Sequence, residues 1–223
     1  INCATSYAAP TVAGAALNLM DYYIDQYSTA ILNPGTLKAH LLAMGDRESE
    51  SGTQMTVRFS NLFGAGRLKM RKWDSPGLDS PYAWSSWSTC IDDEEVYSFP
   101  LINGGDIPST VNILKVVVWW YDSDHDTGGA IDNIDVELWE GLATYWWVQR
   151  KASLSLYDEK ERVVWTDFSG NNPFTVVIRG TNVTSDDAGC GSNSQRIYMF
   201  VYYEDSQRDD PDGPTDAEID PET

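Results

Sequence analysis

The chain has 223 residues, of which 42% are apolar, and its 9 Trp and 12 Tyr are enough to bury a real core. Its 15 basic and 34 acidic residues give a net charge of −19, which argues against nucleic-acid binding because the phosphate backbone requires a basic surface. No segment approaches the roughly 20 consecutive apolar residues that span a bilayer, so we expect no membrane partner.

The first part of the chain, residues 1–75, is predicted to be helical. The Ala- and Leu-rich residues 7–26 predict a first helix, with Pro10 in its first turn, where no intrahelical donor is lost. Its small residues let neighbouring backbones come close, so we expect this helix to be buried within an α/β body. Asn33 begins a stop-and-cap sequence, after which residues 37–44 predict a second, short helix.

The pattern changes after a linker at residues 76–81, which read PGLDSP and combine Pro, Gly and Ser. Runs of Val, Ile, Trp, Tyr and Thr follow, separated by Gly, Asp, Asn and Pro clusters, at residues 84–101, 112–121, 134–139, 145–156, 162–167, 173–179 and 195–203. About seven strands with regular turns predict an antiparallel β-sandwich, jelly-roll-like, over residues 82–205. Residues 206–223 are acidic, with only Arg208 in opposition, and predict a disordered tail.

The most specific chemistry lies in residues 4–14, which read ATSYAAPTVAG. A serine at the start of a helix faces backbone N–H groups without intrahelical partners and the positive end of the helix dipole. These groups favour negative charge on an attacked carbonyl oxygen, so Ser6 is a candidate nucleophile whose own N–H would serve an oxyanion hole. Taken alone, a serine at this position is more often a plain helix N-cap.

This run resembles the signature around the active-site serine of the subtilisin-like serine peptidases, Gly-Thr-Ser-x-Ala-Ser/Ala-Pro-x-Val-Ala-Gly. It departs from that signature at Ala4, where the family has glycine. Residues 33–45 and 63–68 resemble the family's next helix and the turn that closes its peptidase domain. The resemblance implies that residues 1–75 are the C-terminal part of a subtilisin-like α/β domain, and that Ser6 is the nucleophile rather than only an N-cap.

The resemblance also implies a His general base, an orienting Asp and an oxyanion-hole Asn, all of which precede the serine in this family. The two histidines of the chain, His40 and His125, both follow Ser6, and we assign neither to catalysis. We expect the other catalytic residues on a missing upstream part. A serine hydroxyl without a base is a poor nucleophile, so this chain alone is expected to be inactive. The expected parent is a secreted endopeptidase that hydrolyses protein or peptide substrates.

An acidic loop between two predicted strands is the candidate metal site. Asp122, Asp124 and Asp126 place three carboxylates at alternating positions, and hard oxygen ligands at that spacing suit calcium. Strands flank the loop, so it is not an EF-hand, and a solvated acidic loop is the equal alternative to a structural calcium site. The flanking residues 115–122 and 131–138 resemble strands of the jelly-roll domain that follows the peptidase domain in some subtilases.

The three cysteines allow two states. Cys90 and Cys190 can pair in an oxidising compartment, which leaves Cys3 over, or all three can be free buried thiols.

The Trp-rich strands allow a second function from another class. In this alternative the chain is a non-catalytic β-sandwich module that binds carbohydrate or protein, with residues 1–75 a decayed peptidase remnant. Adjacent Trp residues in a strand face opposite sides, so about half of the rings would fill the core in any case. The candidate sugar-stacking rings are Trp119, Trp120, Trp139, Trp146 and Trp147.

Overall fold

The computed structural model describes residues 5–27, 33–45, 68, 82–101, 113–122, 132–141, 148–154, 160–165, 173–184, 187 and 189–204. The helices and strands within these ranges are α1 (Thr5–Tyr27), α2 (Pro34–Ala43), β1 (Tyr82–Asp92), β2 (Val96–Leu101), β3 (Ile113–Trp120), β4 (Asn133–Glu140), β5 (Val148–Ser153), β6 (Lys160–Trp165), β7 (Phe174–Asn182) and β8 (Ser194–Glu204). The predicted linker at residues 76–81 and acidic tail at residues 206–223 lie outside the described residues.

The strands form two antiparallel four-stranded sheets that enclose one core. Their orders are β1-β8-β3-β6 and β2-β7-β4-β5. This is the strand order of a jelly roll, in which eight strands form two Greek keys. The prediction of an antiparallel β-sandwich is confirmed.

The predicted run at residues 84–101 is two strands, β1 and β2, that belong to different sheets. The chain turns the corner at residues 93–95, where Glu94 has a φ of 60°. Gly180 of β7 passes close to this corner, and its N–H donates to the Glu95 carbonyl at 3.0 Å. The sandwich therefore has one strand more than the sequence predicted, because an uninterrupted β-rich run hid the change of sheet.

Strand β3 is buried on both sides. Its core-facing residues are Leu114, Val116, Val118 and Trp120. Because side chains alternate along a strand, Lys115, Val117 and Trp119 point to the outer face of the sheet. All residues of β3 are nevertheless buried, so this outer face is covered as well.

Helix α2 covers that outer face where β3 and β8 run side by side. Its Ala39 and Ala43 pack in a second apolar cluster with Val117, Trp119, Phe200 and Tyr202 of the sheet. At the start of the helix, Gly35 lies so close to β8 that an added Cβ would stand 2.3 Å from the Tyr198 ring. These small residues let the helix backbone approach the sheet, and they join the helical part of the chain to the sandwich.

Replacing Gly180 with alanine should destabilise the sandwich, because the new Cβ would stand 2.4 Å from the Asp92 carbonyl oxygen, a backbone atom. We expect Gly180→Ala to lower the free energy of unfolding by about 2 kcal/mol in urea titrations. The matched control is Gly14→Ala in α1, where a Cβ meets nothing within 4 Å and should raise stability by about 0.5–1 kcal/mol. Equal effects of the two substitutions would contradict the close approach at Gly180.

Candidate functional site

Ser6 falls in the first turn of α1, which begins at Thr5. The first turn carries no acidic side chain, so no carboxylate of its own offsets the positive end of the helix dipole. The helix begins two residues earlier than predicted, and Pro10 therefore lies in its second turn rather than its first. The backbone position that the sequence predicted for Ser6, at a helix N-terminus, agrees with the described helix.

Helix α1 has two apolar sides with different surroundings. One side carries Leu19 and Tyr23, which are buried and pack against Met44 at the end of α2 and against Leu68. The other side presents large apolar side chains to solvent, namely Leu17, Met20 and Ile24, which are 65%, 38% and 47% exposed. The expectation that α1 is buried within an α/β body therefore does not hold in this chain, because only the side toward α2 is covered by described residues.

His40 of α2 lies at the centre of the helical part and is fully buried. Its Nδ1 forms a hydrogen bond of 3.0 Å with the Tyr23 hydroxyl, and its ring stacks on Phe200 of β8 at 4.1 Å between centroids. Burial lowers the pKa of His40 from 6.5 to about 3. A histidine held neutral inside a packed junction is not a general base exposed to substrate, so His40 does not supply the missing base. His125 lies outside the described residues.

Lys115 anchors the end of α2 to the sandwich. Its ammonium is buried and donates to the carbonyls of Ala43 and Gly45, both at 2.8 Å. Ala43 is the last residue of α2 and Gly45 follows its C-cap Met44, so both carbonyls lie at the helix end where internal partners are lacking and the dipole is negative. The sequence shows one lysine within a strand of apolar residues, which indicates a buried ammonium in need of acceptors. It does not show which acceptors these are, because the two carbonyls lie 70 and 72 positions away.

The two adjacent tryptophans of β3 divide between two buried sites, as strand alternation predicted. Trp120 is fully buried in the sandwich core, and Trp119 is buried under α2, stacked on Tyr198 at 5.6 Å with the Lys38 ammonium 4.3 Å from its ring centroid. Neither ring can stack on a sugar at the surface. Trp139 is partly buried and donates from its ring nitrogen to Glu137. Trp146 and Trp147 lie outside the described residues.

The described part of the acidic loop is a hydrogen-bonded junction between β3, β4 and β7. Asp122 is buried and accepts from the Asp132 N–H at 2.6 Å, and Asp132 in turn accepts from the Thr184 N–H at 2.6 Å. Asp124 and Asp126 lie outside the described residues. Across the ranges that the structure covers, no three His, Cys, Asp or Glu side chains are grouped to hold a metal ion. Calcium at Asp122, Asp124 and Asp126 stays a prediction, and the roles of Asp132 and Thr184 were not foreseen.

Cys90 and Cys190 form a disulfide, with Cα atoms 5.5 Å apart, so the free-thiol alternative does not hold for this pair. The bond ties β1 to the turn that leads into β8, its neighbour in the sheet. A disulfide is consistent with an extracellular, oxidising environment. No helix among the described residues is long and apolar enough to cross a membrane.

No family model and no curated protein matches the chain. Among solved structures, it is similar to a mitogen from Yersinia pseudotuberculosis, with a TM-score of 0.35 and 11% identity, covering 59% of this chain and 94% of that one. It is also similar to an endospore appendage protein of Bacillus, with a TM-score of 0.29 and 14% identity over 58% and 96% of the two chains. The coat protein of Tobacco streak virus gives a TM-score of 0.29 and 9% identity over 65% and 99%. Likenesses of this size carry no argument about function.

Removing the charge of Lys115 should loosen α2 from the sandwich. Lys115→Met leaves two buried carbonyls without their donor, so we expect the free energy of unfolding to fall by about 2 kcal/mol in urea titrations. The matched control is Lys151→Met on β5, a partly exposed lysine that should change stability little. If both substitutions change the free energy of unfolding by the same small amount, Lys115 does not anchor α2 to the sandwich.

The calcium prediction is tested by chelation. If Asp122, Asp124 and Asp126 bind calcium, EDTA should lower the melting temperature and added calcium should restore it, because binding to the folded state alone stabilises that state. Asp122→Asn should weaken the response, whereas Asp21→Asn on the exposed surface of α1 should leave it unchanged. A melting curve that saturating calcium does not move would remove the site.

Proposed function

We propose that this chain is the C-terminal part of a secreted subtilisin-like serine endopeptidase, in which Ser6 is the nucleophile and the β-sandwich is an appended domain. The observation that carries the proposal is the run at residues 4–14, whose serine stands at the start of a helix, as the chemistry of the motif requires. In the proposed reaction the Ser6 hydroxyl attacks the scissile carbonyl, and the Ser6 N–H contributes to the oxyanion hole.

The exposed apolar side of α1 supports the same proposal. Leu17, Met20 and Ile24 are large apolar side chains that share one side of the helix with the small residues Ala9, Ala13 and Ala16. A helix with a second apolar side besides the one that is packed is typical of the interior of a larger domain rather than of a surface. We propose that the remaining part of the peptidase domain covers this side, and that it also supplies the His, Asp and Asn of the catalytic site.

The appended sandwich contributes stability in this proposal. It holds α2 through Lys115, and α2 in turn holds the buried side of α1, at whose N-terminus Ser6 stands. The disulfide between Cys90 and Cys190 and the predicted calcium ion would stabilise the sandwich outside the cell. The alternative is a non-catalytic β-sandwich module with a decayed peptidase remnant. Its carbohydrate-binding version is weakened by the burial of Trp119 and Trp120.

A serine-directed phosphonate probe separates the two functions. Applied to the complete protein, the probe should form an adduct on Ser6, located by peptide mass spectrometry, because only a serine activated by a base reacts. Ser6→Ala should abolish the labelling and the hydrolysis of a casein substrate, whereas Ser88→Ala, at an exposed serine of β1, should change neither. The present chain alone should take up no label. Absence of an adduct on Ser6 in the complete protein would favour the remnant.

A further inference from the structure

His40 stands where three elements meet. The Tyr23 hydroxyl approaches it from α1, and the Phe200 ring of β8 lies against its face with an interplanar angle of 21°. The Tyr23 ring meets the imidazole edge to face, with centroids 5.8 Å apart. One imidazole thus connects the helix that carries Ser6, the helix that covers the sandwich, and the sandwich itself.

The surroundings of His40 do not favour a positive charge. The titratable side chains that these elements bring into the packed clusters around it are Tyr22 and Tyr23 on α1, Lys38 on α2, Lys115 on β3, and Tyr198 and Tyr202 on β8. The two charged groups in this set are ammonium groups, which repel an imidazolium. The acidic Asp21 and Asp25 of α1 are exposed on the solvent side of the helix.

We propose that the contact between Tyr23, His40 and Phe200 is an acid-sensitive joint, and that protonation of His40 releases α1 and α2 from the sandwich while the sandwich stays folded. The sandwich has a separate core between its two sheets and its own disulfide, so it does not need the helices to keep its strands paired. The inference does not depend on peptidase activity.

The direction of the pH effect follows from linkage. With the joint open, His40 binds a proton near its ordinary pKa of 6.5, whereas burial in the closed joint lowers the pKa to about 3. The open form therefore binds more protons between these values, and the closed form loses stability as the pH falls through this window. Between pH 7 and pH 5, the equilibrium should shift toward the open form by about 20-fold.

Hydrogen exchange of the backbone amides, followed by mass spectrometry at pH 7 and pH 5 and corrected for the intrinsic exchange rate, tests the joint. In the present chain, amides of α1 and α2 should lose about 20-fold more protection at pH 5 than in His40→Phe, which keeps an aromatic ring beside Phe200 but cannot titrate. Amides of β3 and β8 should keep their protection at pH 5 in both the present chain and His40→Phe. Tyr23→Phe is the matched control, because it removes the hydrogen bond but leaves His40 able to titrate. Amides of α1 and α2 in this variant should therefore still lose protection between pH 7 and pH 5.

Two outcomes would overturn the proposal. One is an equal loss of helix protection at pH 5 in His40→Phe, which would assign the effect to groups other than His40. The other is a simultaneous loss of amide protection in β3 and β8, which would indicate global unfolding. Should His40→Phe fail to fold, the ring signals of His40 in the unmodified chain give the answer by NMR. Titration near pH 6.5 with α1 still protected would exclude the joint, whereas titration that accompanies the loss of α1 protection supports it.

Discussion

The hydrogen bonds from one buried lysine to the C-terminal end of a helix join the helical part of this chain to the sandwich. Lys115 leaves β3 on the outer face of the sandwich and donates to the carbonyls of Ala43 and Gly45 at the end of α2. A desolvated ammonium is costly unless it is well paired, and a helix C-terminus offers both hydrogen-bond acceptors and a negative potential. Each group therefore stabilises the other while α2 lies on the sheet.

The second apolar layer follows from this contact. Once α2 lies on the sheet, the outward residues of β3 and β8 become interior, which is why Trp119, Phe200 and Tyr202 are buried on a face that a plain sandwich exposes to water. His40 packs in the same layer against Phe200, and its hydrogen bond with Tyr23 connects the layer to α1. The orientation of the helix that begins beside Ser6 thus depends on packing against a sheet that plays no chemical part in the proposed reaction.

The sequence predicted local features well and long-range ones poorly. The sandwich was predicted from β-rich runs separated by turn residues. The alternation of side chains along a strand predicted that Trp119 and Trp120 lie on opposite faces of the sheet, because this depends only on neighbours within one strand. Pairing of Cys90 with Cys190 across 100 positions was one of two alternatives that the sequence left open, since spacing does not report distance in space. The motif at Ser6 predicted the start of a helix, yet the exposed side of α1 was unexpected, since small and apolar residues indicate what a helix can contact and not what is present to contact it.

Equilibrium unfolding at pH 7, followed by two signals on the same samples, tests the union of helices and sandwich most directly. Far-ultraviolet circular dichroism at 222 nm reports the helices, and tryptophan fluorescence reports the buried rings of the strands. At pH 7 the joint at His40 is closed, and α2 and the sandwich share one packed interior, so the two urea transitions should coincide in midpoint and slope. Loss of the helical signal at clearly lower urea, with the fluorescence transition unchanged, would contradict the account and reduce α2 to a loosely attached segment.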